Sequence, residues 1–436
     1  MKIAYVLADP GIGLFGVKGA SVHAQEMIRA FAAMGHEVTV YCLKRGTKAG
    51  DASTETVPED LRHLPVFTAA VTGAKDTAER ELAVLRAASR LATLAADEDY
   101  DLIYERYSLF SDAGVQLAQQ LRARTGRKVP VVMEINAPLL DEQRQHRSLH
   151  RGQLAEEITR EAFAQADLLS CVSEPVAAWA ARQRGKSSAI QHGPGQRSPR
   201  IVVTPNGVNT DRFSTAPTPR HDDAPAGAAK AIAAPSFNRA PSFTVGFVGT
   251  LKPWHGTEQL LEAFASAAEP DQRWRMEIAG DGPQRAQLES LAADLGIGDQ
   301  VTFHGAVAPS RIPSLLRRFD VGAAPYPQVQ DHYFSPLKVY EYMAAGLPTV
   351  ASAIGEIPAL LAGPTGAGQD AGLLVPAGDV QALATALSAL AQDVELRTAM
   401  GAQARRRAVE QHSWIRRAAD LLQAVHTGHS PVEVSA

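Results

Sequence analysis

Short apolar runs, each ending in a loop and followed by a helical period, recur along this chain, and that alternation constrains the fold class more than any other feature. Ile3 to Ala8 is the first run, with the unbroken apolar character of a strand buried on both faces of a parallel sheet. A glycine-rich loop from Asp9 to Ala20 follows, carrying Gly11, Gly13, Gly16 and Gly19. Ser21 reads as the cap of a helix whose Met27, Ile28, Phe31 and Met34 share one face, and Gly35 ends it. Glu37 to Leu43 completes a strand–helix–strand unit of the doubly wound type. Beyond it the pattern predicts helices over 76–96 and 111–124, one long helix over 141–166, and strands over 102–105, 129–135 and 168–172. Ile201-Val-Val closes the first half. The second half repeats the alternation, with strands at 243–248, 275–279, 301–305, 321–324, 349–352 and 373–376. A polar stretch over 186–199 predicts a mobile loop, and the Ala/Pro-rich 215–241 a disordered insertion. The chain therefore reads as two doubly wound α/β domains, 1–205 and 242–412, and 436 residues suffice for two cores.

Composition removes several function classes. A net charge of −4 gives no argument for nucleic acid. Two cysteines, Cys42 and Cys171, lie in apolar runs, which excludes a disulfide scaffold and suits the cytoplasm. No signal-peptide pattern opens the chain, and no apolar run reaches the ~20 residues that span a bilayer. Gly11, Gly13 and Gly16 spell Gly-x-Gly-x-x-Gly, so a nucleotide-cofactor oxidoreductase has to be weighed. Pro10 intervenes, Gly16 falls short of the helix, and no acidic residue ends the second strand, where Lys44 and Arg45 stand instead. Asp97, Asp99 and Asp101 spell a metal–diphosphate pattern, but they precede a strand and so fall on the rim away from the ligand side.

The stretch from Phe334 to Ala353 carries the most chemistry. Ser335 and Pro336 predict a helix start, with the helix running through Ala345 and stopping at Gly346. Lys338 and Glu341 stand three apart and project from one helical face. Helix N–H groups, the positive dipole end and Lys338 make a phosphate-type anion site; Glu341, a turn further in, suits sugar hydroxyls. At the carboxyl ends of first-half strands stand Glu105-Arg106 and Glu134-Ile-Asn136, where open α/β sheets place ligands.

Glu341-Tyr-Met-Ala-Ala-Gly-Leu-Pro-Thr-Val resembles the donor signature of the family 4 retaining glycosyltransferases, Glu-Ala-Met-Ala-x-Gly-x-Pro-Val. Gly19-Ala-Ser-x-His23, Pro205-Asn-Gly-Val208 and Gly280-Asp-Gly-Pro283 resemble further elements of that family. The resemblance implies an α/β GT-B fold: two Rossmann-like domains facing each other across a cleft, with a terminal helix, 414–428, completing the first. It implies an N-terminal acceptor domain and a C-terminal donor domain. Implied donor contacts are Gly16, Gly19, Thr250, His255, Gly282, Val307 (beside the nucleobase), Tyr333, Phe334, Ser335, Pro336, Leu337 and the ribose-binding Glu341. The chain departs from the pattern at Tyr333, where the family has an earlier Glu, and at Thr250 and His255, where it has Arg and Lys. Lys252 is the replacement cation, because His255 is only partly protonated near neutrality.

Lys338, Lys252, Glu134 and His23 are thus the expected catalytic residues, and Arg106, Asn136 and Arg144 the expected acceptor contacts. The implied reaction moves a sugar from a nucleotide-sugar to a glycan, lipid-linked or small-molecule acceptor, with the departing phosphate taking the acceptor's proton and no obligatory metal or other cofactor. Covalent catalysis by Glu134 stays open as the opposite mechanism. A nucleotide-sugar epimerase and a non-catalytic nucleotide-sugar-binding subunit are the alternative functions. Arg144, Arg147 and Arg151, with His146 and His150 nearby, form a predicted basic stripe toward an anionic lipid carrier or the inner face of the membrane. The competing reading is a solvated face balanced by Glu142, Glu156 and Glu157.

Overall fold

The structure is a computed structural model, and it describes residues 1–46, 57–146, 148–185, 200–213, 242–268, 273–328, 333, 335–363 and 370–427. The predicted loop over 186–199, the predicted insertion over 215–241, Phe334 and Arg147 lie outside the described residues. The chain divides into two compact units. Among the described residues one unit takes 1–207, 333, 335 and 414–427, and the other takes 208–328 and 336–413.

The first unit holds β1 (Lys2–Leu7), β2 (Glu37–Cys42), β3 (Val66–Thr68), β4 (Leu102–Arg106), β5 (Val131–Ile135), β6 (Leu168–Cys171) and β7 (Arg200–Val203). They form one sheet in the order β3-β2-β1-β4-β5-β6-β7, every pair parallel. Its helices are α1 (Gly19–Ala33), α2 (Thr77–Ala95), α3 (Ala113–Thr125), α4 (Leu139–His146), α5 (Gly152–Gln165) and α6 (Glu174–Gly185). In the second unit β8 (Phe243–Val248), β9 (Trp274–Ala279), β10 (Val301–Gly305), β11 (Val321–Ala324), β12 (Thr349–Ser352) and β13 (Gly372–Val375) form a parallel sheet ordered β10-β9-β8-β11-β12-β13. Around it lie α7 (Thr257–Ala268), α8 (Arg285–Asp294), α9 (Ile312–Leu316), α10 (Leu337–Ala344), α11 (Ile357–Leu361), α12 (Val380–Gln392) and α13 (Val394–Gln411). Both orders reverse at the unit's first strand, so each sheet has a switch point, between β1 and β4 and between β8 and β11. Ligands bind outside the carboxyl ends of the strands at such points.

The last helix, α14 (Trp414–Thr427), belongs to the first unit and packs on α1. Trp414, Ala418, Leu421 and Leu422 are its buried stripe, at helical spacing. Gly207 lies so close that a Cβ there would sit 2.8 Å from the Trp414 ring.

Three predicted elements need correction. The helix expected over 141–166 is two, because the Glu81 carboxylate of α2 accepts from the backbone N–H of His150 and Arg151, each at 2.9 Å. It thereby satisfies donors at the start of α5 that a continuous helix would have spent on the preceding turn. Arg144 and Arg151 of the predicted basic stripe therefore do not share one helix. Arg144 stands on α4 and pairs with Glu156 at 2.9 Å, whereas Arg151 precedes α5. Ser21 does not cap α1: the helix starts at Gly19, with extended Lys18 in the cap position and no capping side chain. Nor does Ser335 cap α10. Pro336 holds that position, again with no side-chain cap.

Candidate functional site

In the first unit the switch point is filled by a buried polar hub. His23 lies one turn into α1, behind a glycine-rich loop that Gln25 ties down by donating Nε2 to Leu14 O and Gly16 O at 2.9 and 3.0 Å. Gly16 is needed there, since a Cβ would meet Ser21 Oγ at 2.6 Å; Gly19 is the exposed first residue of α1. The His23 Nε2–Glu134 Oε1 separation is 2.6 Å and His23 Nδ1–Asn206 Oδ1 is 2.8 Å. Asn206 Nδ2 donates to Ser335 O at 2.9 Å, which fixes its amide with the oxygen toward His23. Both imidazole nitrogens therefore face acceptors. Tyr104 OH donates to Glu134 Oε1 at 2.6 Å and Arg106 Nη1 to Oε2 at 3.1 Å. Burial pushes the Glu134 carboxyl up, but His23, Arg106 and Tyr104 outweigh it and hold the group at about 2. Trp414 closes the hub edge-on to His23, at 4.7 Å between ring centroids.

Strand alternation separates Glu105 from Arg106. Glu105 turns toward α3, accepts from Ser111 Oγ and Gly114 N at 2.6 and 2.7 Å, and is pushed up to about 7 by burial. Asn136 is partly buried, and its Nδ2 has no partner among the described residues. Arg144 is committed to Glu156 as above. Tyr333 also lies in this unit. Its OH donates to Glu142, and its carbonyl accepts from Ser173 Oγ at 2.5 Å. Ser335 Oγ accepts from Asn206 N at 3.1 Å, which is where the expected capping hydroxyl goes. The Asp-x-Asp run is spent on the amino-terminal rim: Asp99 pairs with Arg124, and Asp101 takes Arg127 and the Lys2 N–H.

In the second unit the loops after β8 and β9 are laced by backbone bonds, Gly249 N to Ala279 O at 2.9 Å and Leu251 N to Asp281 O at 3.0 Å. Gly280 and Gly282 are required by this approach; a Cβ would come within 1.7 Å of Gly249 O and 2.3 Å of Leu251 O respectively. Val307 follows β10 at the same rim. Within the first loop His255 Nδ1 lies 2.5 Å from Thr250 O. Burial, then the charges of Lys338 and Lys252, push His255 down to about 4, so it is neutral and the loop's charge rests on Lys252, whose Nζ sits 4.6 Å from the exposed Trp254 ring.

The helix α10 is held by its carboxyl end. Arg405 Nη1 donates to Ala344 O at 2.7 Å, a cation where the helix dipole favours one. Its amino end carries no side-chain cap. Lys338, in its first turn, is buried, and its Nζ has no hydrogen-bond partner among the described residues. Nζ lies 4.1 Å from the Phe247 ring centroid and 5.1 Å from that of Tyr326, at the ends of β8 and β11. Glu341 is partly buried a turn along, close enough to favour the charged form of Lys338. An uncapped helix start and a buried cation without a hydrogen-bond partner among the described residues thus meet at the sheet's switch point, an arrangement suited to an anion. Pro336 and Leu337 bring their backbone to the same place. Sequence reasoning missed Asn206, Tyr104, Phe247 and Tyr326. Tyr104 stands two residues before Arg106 and hence on the same strand face, and Asn206 lies in the Pro205-Asn-Gly-Val208 run already singled out, so both had a readable signal.

Two family models match in succession. Residues 17–212 match "Glycosyltransferase Family 4" and 242–393 match "Glycosyl transferases group 1". Among solved structures, sucrose-phosphate synthase from Thermosynechococcus elongatus superposes with a TM-score of 0.64 at 21% identity, over 97% of this chain and 98% of that one. Anabaena HepE in complex with UDP and glucose gives 0.65 at 18% identity, over 98% and 99%. These likenesses define a GT-B fold. The chain belongs to the group 1, family 4 glycosyltransferases and transfers sugar from a nucleotide donor. It is 27% identical to the D-inositol 3-phosphate glycosyltransferase of Corynebacterium aurimucosum, over 100% of this chain and 97% of that protein. It is 30% identical to a GDP-mannose-dependent phosphatidylinositol monomannoside mannosyltransferase of Mycobacterium tuberculosis, over 51% and 54%. No helix among the described residues is long and apolar enough to cross a membrane.

Proposed function

We propose that the second unit binds the donor's diphosphate at the amino end of α10, with Lys338 and Lys252 as the cations that stabilise the leaving group. The observation that carries this reading is the buried Lys338 Nζ, unpartnered among the described residues, at an uncapped helix start. Charge builds on the diphosphate as the glycosidic bond stretches, and preorganised cations act most strongly at that moment. Transfer proceeds with retention, the departing phosphate oxygen taking the acceptor's proton. A protein nucleophile is not needed, and Glu134, with both oxygens engaged, is poorly placed to be one; His23 and Glu134 position the first unit's site instead. The acceptor is a phosphorylated inositol or an inositol lipid, the class named for the relatives above, received by the first unit near the unmet Asn136 Nδ2. Incubation with UDP-, GDP- and ADP-sugars, each with inositol 3-phosphate or phosphatidylinositol, tests this. A glycosylated inositol product is expected, and sugar isomerisation without transfer contradicts the reading.

Two further outcomes follow. Glu341→Gln raises the donor KM with kcat little changed, because ribose hydroxyls are held alike in ground and transition states; steady-state rates at varied donor check it. Activity persists in EDTA, since helix and lysines supply the positive charge; activity abolished by EDTA and restored by magnesium or manganese would contradict that.

A further inference from the structure

Lys338 meets two opposing demands in the free enzyme. The faces of Phe247 and Tyr326 favour an ammonium, but burial removes its water and no hydrogen-bond acceptor among the described residues replaces it. The surrounding groups divide. Glu341, from α10 itself, favours the charged form. From the loop after β8, His255 is neutral, held so by burial and by the charges of Lys338 and Lys252. Tyr326, at the end of β11, has its phenol pushed up by burial and by Glu356, which stands beside α11 and accepts from Tyr340 OH at 3.0 Å. Tyr342 OH accepts from Val248 N at 2.8 Å. Burial prevails over Glu341 and brings Lys338 down to about 7, so near neutrality the side chain is divided between its two protonation states.

We propose that donor binding draws a proton from solvent onto Lys338 Nζ, so that affinity for a nucleotide-sugar falls as the medium becomes alkaline. The inference rests on the donor-site reading above. A diphosphate at the start of α10 supplies the missing acceptor and the opposite charge, both of which favour the ammonium. The sign follows. Below neutrality the free lysine already carries its proton and binding takes up none. Above it, each complex formed must acquire one, and affinity falls by up to about tenfold per pH unit.

Calorimetric titration with UDP-glucose and with GDP-mannose, without acceptor, in buffers of different ionisation enthalpy reads the proton count directly. The diphosphate of a nucleotide-sugar does not titrate in this range, so the proton belongs to the protein. With the tighter binder, uptake that rises with pH is expected, clearly larger at pH 8 than at pH 6. Lys338→Arg, permanently charged, binds without uptake, and Lys338→Gln, smaller and uncharged, shows none either. Binding whose heat is the same in every buffer at pH 8, or uptake that persists in either variant, overturns the proposal while leaving the donor site standing. If neither nucleotide-sugar binds the wild type, the donor-site reading fails and takes this inference with it.

Discussion

Lys338→Ala lowers kcat by about 10²–10³-fold, equivalent to about 3 kcal/mol of transition-state stabilisation, with a smaller change in donor KM. The split arises because Lys338 meets a group whose negative charge grows as the bond to the sugar breaks. Stability should barely move. The substitution leaves a cavity, which destabilises, but it also removes a buried cation that has no hydrogen-bond partner among the described residues, which stabilises. A thermal melt close to wild type beside a collapsed kcat therefore separates a catalytic loss from a folding one. Near-wild-type turnover in a folded variant would contradict the donor-site assignment.

Glu134→Ala has the larger effect on the fold. It removes the anion around which His23, Arg106 and Tyr104 are gathered, leaving Arg106 buried without its partner. Breaking a buried pair in this way costs about 3–5 kcal/mol. The expected result is an earlier unfolding transition of the first unit in denaturant or heat, with the second unit's transition retained. The acid dependence changes too. Because the folded-state carboxyl is held at about 2, below its ordinary value, its contribution is present above about pH 4.5 and lost as the pH falls through about 2. Glu134→Ala flattens that part of the stability profile. An unchanged melt would show that the hub contributes little.

The parallel strands were legible because burial on both faces leaves an uninterrupted apolar run. The strands over 243–248, 301–305 and 321–324 were read to the residue. The strand β3 was not, being three residues long with two of them exposed, so it leaves neither an apolar run nor an alternation. The break between α4 and α5 was illegible for a different reason. The group that ends the helix is Glu81, some seventy residues earlier, and the helical period of the sequence runs on across the break. At the donor helix, local pattern found Lys338 and Glu341 on one helical face but carried no information on their burial. Contacts with Phe247 and Tyr326, set by strand order, bury the lysine. The hub shows the same limit: His23 and Glu134 were each singled out, yet their pairing spans 111 residues of chain and only the sheet order brings them together.

The central claim, that α10 and Lys338 receive the donor's diphosphate, is tested most directly by a crystal structure with a bound nucleotide-sugar. The account predicts the diphosphate at the amino end of α10, with Lys338 Nζ withdrawn from the Phe247 and Tyr326 rings to a phosphate oxygen and Glu341 on the ribose. A nucleotide-sugar bound elsewhere, with Nζ still facing the two rings, would contradict it.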